Sequence, residues 1–77
     1  MSYEELSRLV GREFFNAGVR YFAVAAGEEK LLLLEYDESG AAVKYAVAEH
    51  PWLEGGEIIL PRLIQGIGKI KKYAFAV

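Results

Sequence analysis

Residues 19–49, VRYFAVAA-GEEK-LLLLEY-DESG-AAVKYAVAE, decide the fold. Three runs rich in β-branched, aromatic and aliphatic residues are separated by two four-residue segments of turn chemistry. Connections this short join antiparallel neighbours, so the stretch predicts a three-stranded meander. In the first run Tyr21, Ala23 and Ala25 point one way, and Arg20, Phe22 and Val24 the other. Leu31 and Leu33 oppose Leu32 and Leu34, and Val43, Tyr45 and Val47 oppose Ala42, Ala46 and Ala48. Neither face is polar. A sheet with one wet face alternates cleanly, so both faces of this one are expected to be covered, one of them by a second subunit.

Upstream, Ser2 and Glu5 fit a capping box, with Glu4 and Glu5 against the positive helix end. Tyr3, Leu6, Leu9, Val10, Phe14 and Ala17 recur at helical spacing. They predict one N-terminal helix that contains Gly11 and stops before Gly18. Downstream, HPWLEGGE reads as a loop. Pro61 suits the first turn of a helix, so a short second helix is expected near residues 61–67. KIKKYAFAV reads as a final strand. The fold class is therefore α+β: an N-terminal helix on a small antiparallel sheet (meander plus C-terminal strand), with a short second helix, all in one domain.

The chain has 77 residues, and one this short buries only about 60% of its unfolded surface. Disulfides, metals or partners usually make up the deficit. There is no cysteine and a single histidine, His50, which excludes disulfides, thiolate sites and a histidine zinc cluster. Partners remain, and a hydrophobic fraction of 53% gives them surface to cover. No apolar run approaches the roughly 18 residues of a membrane span, and MSYEELSRL is too acidic and polar for a signal peptide. A cytoplasmic protein is expected. Asn and Gln occur once each, Thr and Cys never. With many Glu, Lys and Arg, this is the trend of hyperthermophile proteins, so a thermophilic, archaeal source is expected.

Net charge is −2, with no global attraction for nucleic acid, but it is unevenly spread. Residues 35–57 hold six acids and one lysine, whereas residues 58–77 hold Arg62, Lys69, Lys71 and Lys72 and no acid. As a strand, residues 69–77 place Lys69, Lys71, Tyr73, Phe75 and Val77 on one face, with Lys72 on the other. Cations followed by rings suit a single-stranded nucleic acid: ammoniums meet phosphates and rings stack on bases, at about 1–3 kcal/mol per base. Arg20, Phe22, Lys44, Tyr45 and Trp52 lie on or beside the sheet and extend the candidate surface. The competing reading makes the lysines edge protection and the aromatics core.

Two resemblances accompany this surface. Gly66, Ile67, Gly68 and Lys69 match the hairpin of the helix-hairpin-helix DNA-backbone motif, although Gln65 replaces its proline and Lys72 falls where a small residue belongs. GIGKI lacks the spacing and Ser/Thr of a P-loop. In layout, in composition and in the KIKKYAF strand, the chain resembles the small archaeal single-stranded-DNA-binding proteins of the ThermoDBP-related group. That resemblance implies an N-terminal helix, a small sheet with aromatic and basic residues, and binding between subunits. The lead expectation is thus single-stranded DNA binding by a homo-oligomer. The alternative is a homo-oligomeric interaction or scaffold protein, or a subunit of a larger complex.

Catalysis is not expected. No Ser has a local base, and Glu49 and His50, adjacent in a strand, face opposite ways. Glu28-Glu29 and Asp37-Glu38 fall in turns, where solvation accounts for them. No cofactor or metal is expected.

Overall fold

The structure, a computed structural model, describes residues 1–67. The order is α1 (Tyr3–Ser7), β1 (Glu13–Asn16), β2 (Val19–Gly27), β3 (Lys30–Tyr36), β4 (Ala42–Glu49), β5 (Trp52–Glu54), β6 (Glu57–Ile59) and β7 (Arg62–Ile67). β1-β2-β3-β4-β7 form one antiparallel sheet in that order, and β5-β6 form a separate ribbon. The molecule is mostly antiparallel β with one short helix.

The meander stands as expected, and its turns explain the boundaries. In DESG, the Asp37 carboxylate accepts from the Ser39 amide at 2.9 Å, the Ser39 hydroxyl at 2.6 Å and the Ala41 amide at 3.1 Å. These bonds hold the Asp37 carboxyl below the usual carboxylate range, the Ser39 side chain contributing most. One face assignment shifts: a bulge at Val24 puts Ala26 rather than Ala25 beside Ala23 on the main core face.

The N-terminal helix is shorter than its periodicity implied. The capping box forms, with the Ser2 amide donating to Glu5 Oε1 at 2.9 Å and the Glu5 amide to Ser2 Oγ at 3.2 Å. The helix then stops at Ser7, and Gly11 lies beyond it, its amide donating to the Ala23 carbonyl. Residues 13–27 are a hairpin instead. Asn16 pairs with Val19 across a two-residue turn in which Ala17 (φ 51°) and Gly18 (φ 78°) are both left-handed. That is the turn type whose twist matches paired strands, and Gly18 adopts it without strain. An isolated five-residue helix is unstable in water. Burying Leu6 against the sheet secures it, whereas a β1–β2 ladder satisfies the backbone of residues 13–16 directly.

The expected second helix is a strand. β7 pairs with β4 through Glu49↔Arg62, Ala48↔Leu63 and Val47↔Ile64. Without β7, β4 would present an open row of backbone groups, and Pro61, just before the strand, removes no ladder bond. The expected loop at HPWLEGGE holds most of the β5–β6 hairpin, turned at Gly55 (φ 59°) and Gly56 (φ 84°). The final strand, with Lys69, Lys71, Lys72, Tyr73 and Phe75, lies outside the described residues.

Both sheet faces are apolar, as their sequence implied. The main core joins Leu6, Tyr21, Ala23, Ala26, Leu31, Leu33, Ala46 and Ala48. Leu9, Phe14, Ile58, Leu60 and Leu63 pack around it. The opposite face holds Ala25, Leu32 and Val47, flanked by Val24, Tyr45 and Ile64.

Candidate binding surfaces

Strand register sorts the expected nucleic-acid residues. Glu13↔Phe22↔Leu34↔Tyr45 form one row on the second face, and Phe15↔Arg20 the next. Arg20, Phe22 and Tyr45 are therefore brought together. Lys44 is not: it pairs with Glu35 on the main core face, Nζ to Oε2 at 3.6 Å. Trp52 sits in the separate β5–β6 ribbon, 44% exposed.

Arg20 is already engaged. Its guanidinium lies 4.2 Å from the centre of the Tyr36 ring, and its Nε lies 3.9 Å from Glu13 Oε2. The ring contact is worth about 0.5–1 kcal/mol at an accessible site. The adjoining depression is lined by Glu35, Asp37 and Glu38 as well as Arg20, a rim that repels phosphate. Elsewhere Arg62 pairs with Glu49 at 3.2 Å. His50 Nδ1 stands 3.3 Å from Glu29 Oε2 across the β2–β3 turn. Ser2 is spent on the helix cap, Ser7 on the Tyr3 carbonyl and Ser39 on Asp37. Among the described residues, no group of three or more His, Asp or Glu side chains is placed to hold a metal.

A polar cluster that sequence reading missed lies inside the sheet. Glu35 is 8% exposed. Its Oε1 accepts from Gln65 Nε2 at 3.0 Å and from the Tyr21 hydroxyl at 3.5 Å. Gln65 Nε2 also donates to the Tyr21 oxygen at 2.7 Å. Burial raises the Tyr21 phenol above its usual ionisation range and the Glu35 charge adds to that, while the Gln65 bond opposes it. The four side chains, Lys44 included, come from four strands. The only cue in the sequence was one acid set among leucines in LLLLEY. They join the far edge of the sheet to its centre.

A second opening runs along the outer edge of β1. It has a volume of about 510 Å³ and lies between β1 and the β5–β6 ribbon, with Leu9, Phe14, Phe15, Leu53, Ile58 and Ile59 as its apolar lining. Arg12, Glu13 and Glu57 contribute its charges. Phe15 is 70% exposed and Leu53 51%. Reading Phe14 and Phe15 as helix, and Leu53 as loop, hid their meeting.

Compared with known proteins, the chain matches no family, no curated protein and no solved structure.

Proposed function

We propose that this protein is a homo-oligomeric interaction protein that assembles through the β1 edge and the neighbouring β5–β6 ribbon. The carrying observation is the exposure of Phe15 and Leu53 on one apolar groove. Burying a large apolar side chain contributes about 1.5–3 kcal/mol. For a chain of this size such a gain is a sizeable part of total stability. Light scattering across a micromolar concentration range is expected to give a mass above that of one chain, and Leu53→Glu is expected to shift it toward the monomer. A wild-type protein that stays monomeric throughout overturns the proposal.

A second reading, single-stranded nucleic-acid binding, is favoured by the gathering of Arg20, Tyr36, Phe22 and Tyr45 on one sheet face. The basic and aromatic residues Lys69, Lys71, Lys72, Tyr73 and Phe75 would supply most of its cations and further rings. The acidic rim beside Arg20 opposes it, which is why it stands second. Its expected signature is anisotropy of a labelled single strand that rises with protein, weakens steeply with salt and is lost in Lys71→Ala or Tyr73→Ala. No binding at low salt would sink it.

A further inference from the structure

The hydrogen-bond parity of β1 fixes what its outer edge offers. Asn16↔Val19 closes a two-residue hairpin, so Asn16 and Phe14 direct their backbone groups at β2. The parity continues to Arg12, whose carbonyl accepts from the Ala23 amide at 2.9 Å. The intervening residues, Glu13 and Phe15, therefore direct their N–H and C=O away from the sheet. Among the described residues β1 has β2 as its one neighbour in the sheet. An open edge of this kind is a template for an added strand.

The pattern is self-complementary. We infer that a second copy of this chain adds antiparallel to β1 with Phe14 on the two-fold axis, making one continuous sheet across two subunits. This rests on the assembly reading above and specifies its interface. In that register Glu13 faces Phe15 of the second copy, and each exchanges both of its outward backbone bonds. Shifting the axis to Glu13 sets two carboxylates directly opposite each other, which is destabilising. Shifting it to Phe15 matches Glu13 with Ala17, which belongs to the turn. With the axis at Phe14, Arg12 faces Asn16, and no like charges meet.

Side chains agree with the backbone. Phe14 stacks on Tyr21, ring centres 5.9 Å apart. The two Phe14 residues form a close, non-hydrogen-bonded pair with Cα atoms about 4.5 Å apart. Tyr21–Phe14–Phe14–Tyr21 then runs as an aromatic ladder across the axis. Arg12 of the second copy approaches a groove that carries Glu57, and its Phe14 meets a wall of Ile58, Ile59 and Leu53. The surface is thus isologous, the same patch serving both subunits.

The chain has no cysteine, so Ala17→Cys in the exposed hairpin turn takes a single nitroxide label. The two Ala17 residues are separated by six residue steps along the paired strands, about 20 Å. Dipolar electron spin resonance on the labelled protein is expected to report a distance near that value. In parallel, Phe15→Glu sets a carboxylate directly opposite Glu13 of the second copy, twice per interface, while inside the chain it stands beside Arg20. It is expected to yield a folded monomer by light scattering and circular dichroism. A wild-type oligomer whose labels lie far from that distance, or whose Phe15→Glu variant keeps its mass, overturns this interface and leaves the assembly reading standing. A wild-type monomer overturns both. If Phe15→Glu fails to fold, the label distance decides.

Discussion

Leu33→Ala should cost about 3–4 kcal/mol of unfolding free energy, read from urea midpoints at unchanged slope and fixed protein concentration. Leu33 is completely buried at the centre of β3, the middle strand of the five. Its cross-strand neighbours on the same face are Ala23 and Ala46. Both are methyl groups with no freedom to swing into a void, so removing the isobutyl group leaves a cavity the site cannot collapse. That places the cost in the upper part of the range for a buried leucine. A domain of this length has only about 4–12 kcal/mol to lose, at roughly 0.05–0.15 kcal/mol per residue. Val10→Ala, 40% exposed beyond the helix, is the control and should stay within about 0.5 kcal/mol of wild type. A Leu33→Ala loss below about 1 kcal/mol would mean that β3 and its alanine neighbours do not form the core described.

The same leucine–alanine alternation explains why the meander was legible from the sequence. Leu31 and Leu33 lie opposite Ala48 and Ala46, and Leu32 opposite Val47. Period two thus carries both the strand and its faces, and DESG has one strong turn solution. What failed was the N-terminal stripe. Leu6, Leu9 and Phe14 do reach the core, but from three different backbone states, and helical spacing was coincidental. A hairpin also buries Phe14, so periodicity could not separate the two; the left-handed pair Ala17–Gly18 decided it. Gly55-Gly56 has the chemistry of a two-residue hairpin turn, but flanking strands of three residues carry almost no alternation to mark them as strands. The bulge at Val24 depends on how β2 meets β3, which no single strand encodes. For the candidate surface, the second-face grouping of Arg20, Phe22 and Tyr45 followed from alternation once β2 and β4 were in place. Lys44 was legible as a cation but not as the neighbour of a buried acid, because Glu35 needs Tyr21 and Gln65 from strands on either side to make its environment.

That environment gives the second large effect. Glu35→Ala is expected to destabilise by about 2–3 kcal/mol, less than the roughly 3–5 kcal/mol for breaking a fully buried pair. The reduction has two sources. The Lys44 side chain is 48% exposed and returns to water, and Gln65 keeps its 2.7 Å bond to Tyr21. Glu35→Gln retains an acceptor for Gln65 and should lose about 1 kcal/mol, the worth of one ordinary hydrogen bond. Lys44→Ala should lose under about 1 kcal/mol, as for an accessible ion pair. The pH dependence separates these contributions. Tyr21 is raised in the folded state above its reference value of 10.0, chiefly by burial. The folded protein therefore holds the phenol proton more tightly than the unfolded chain. The stability this represents is fully present below that value and is lost as pH rises through the folded one. Ionisation would set a phenolate 3.5 Å from a carboxylate oxygen of Glu35. Between about pH 8 and about pH 10.5, wild type should therefore lose more stability than Tyr21→Phe, with Glu35→Gln between them, because burial persists when the charge is removed. An alkaline loss equal in all three would place the Tyr21 hydroxyl in water and dissolve the cluster as a structural unit. If Glu35→Gln alone matches Tyr21→Phe, charge rather than burial governs the phenol.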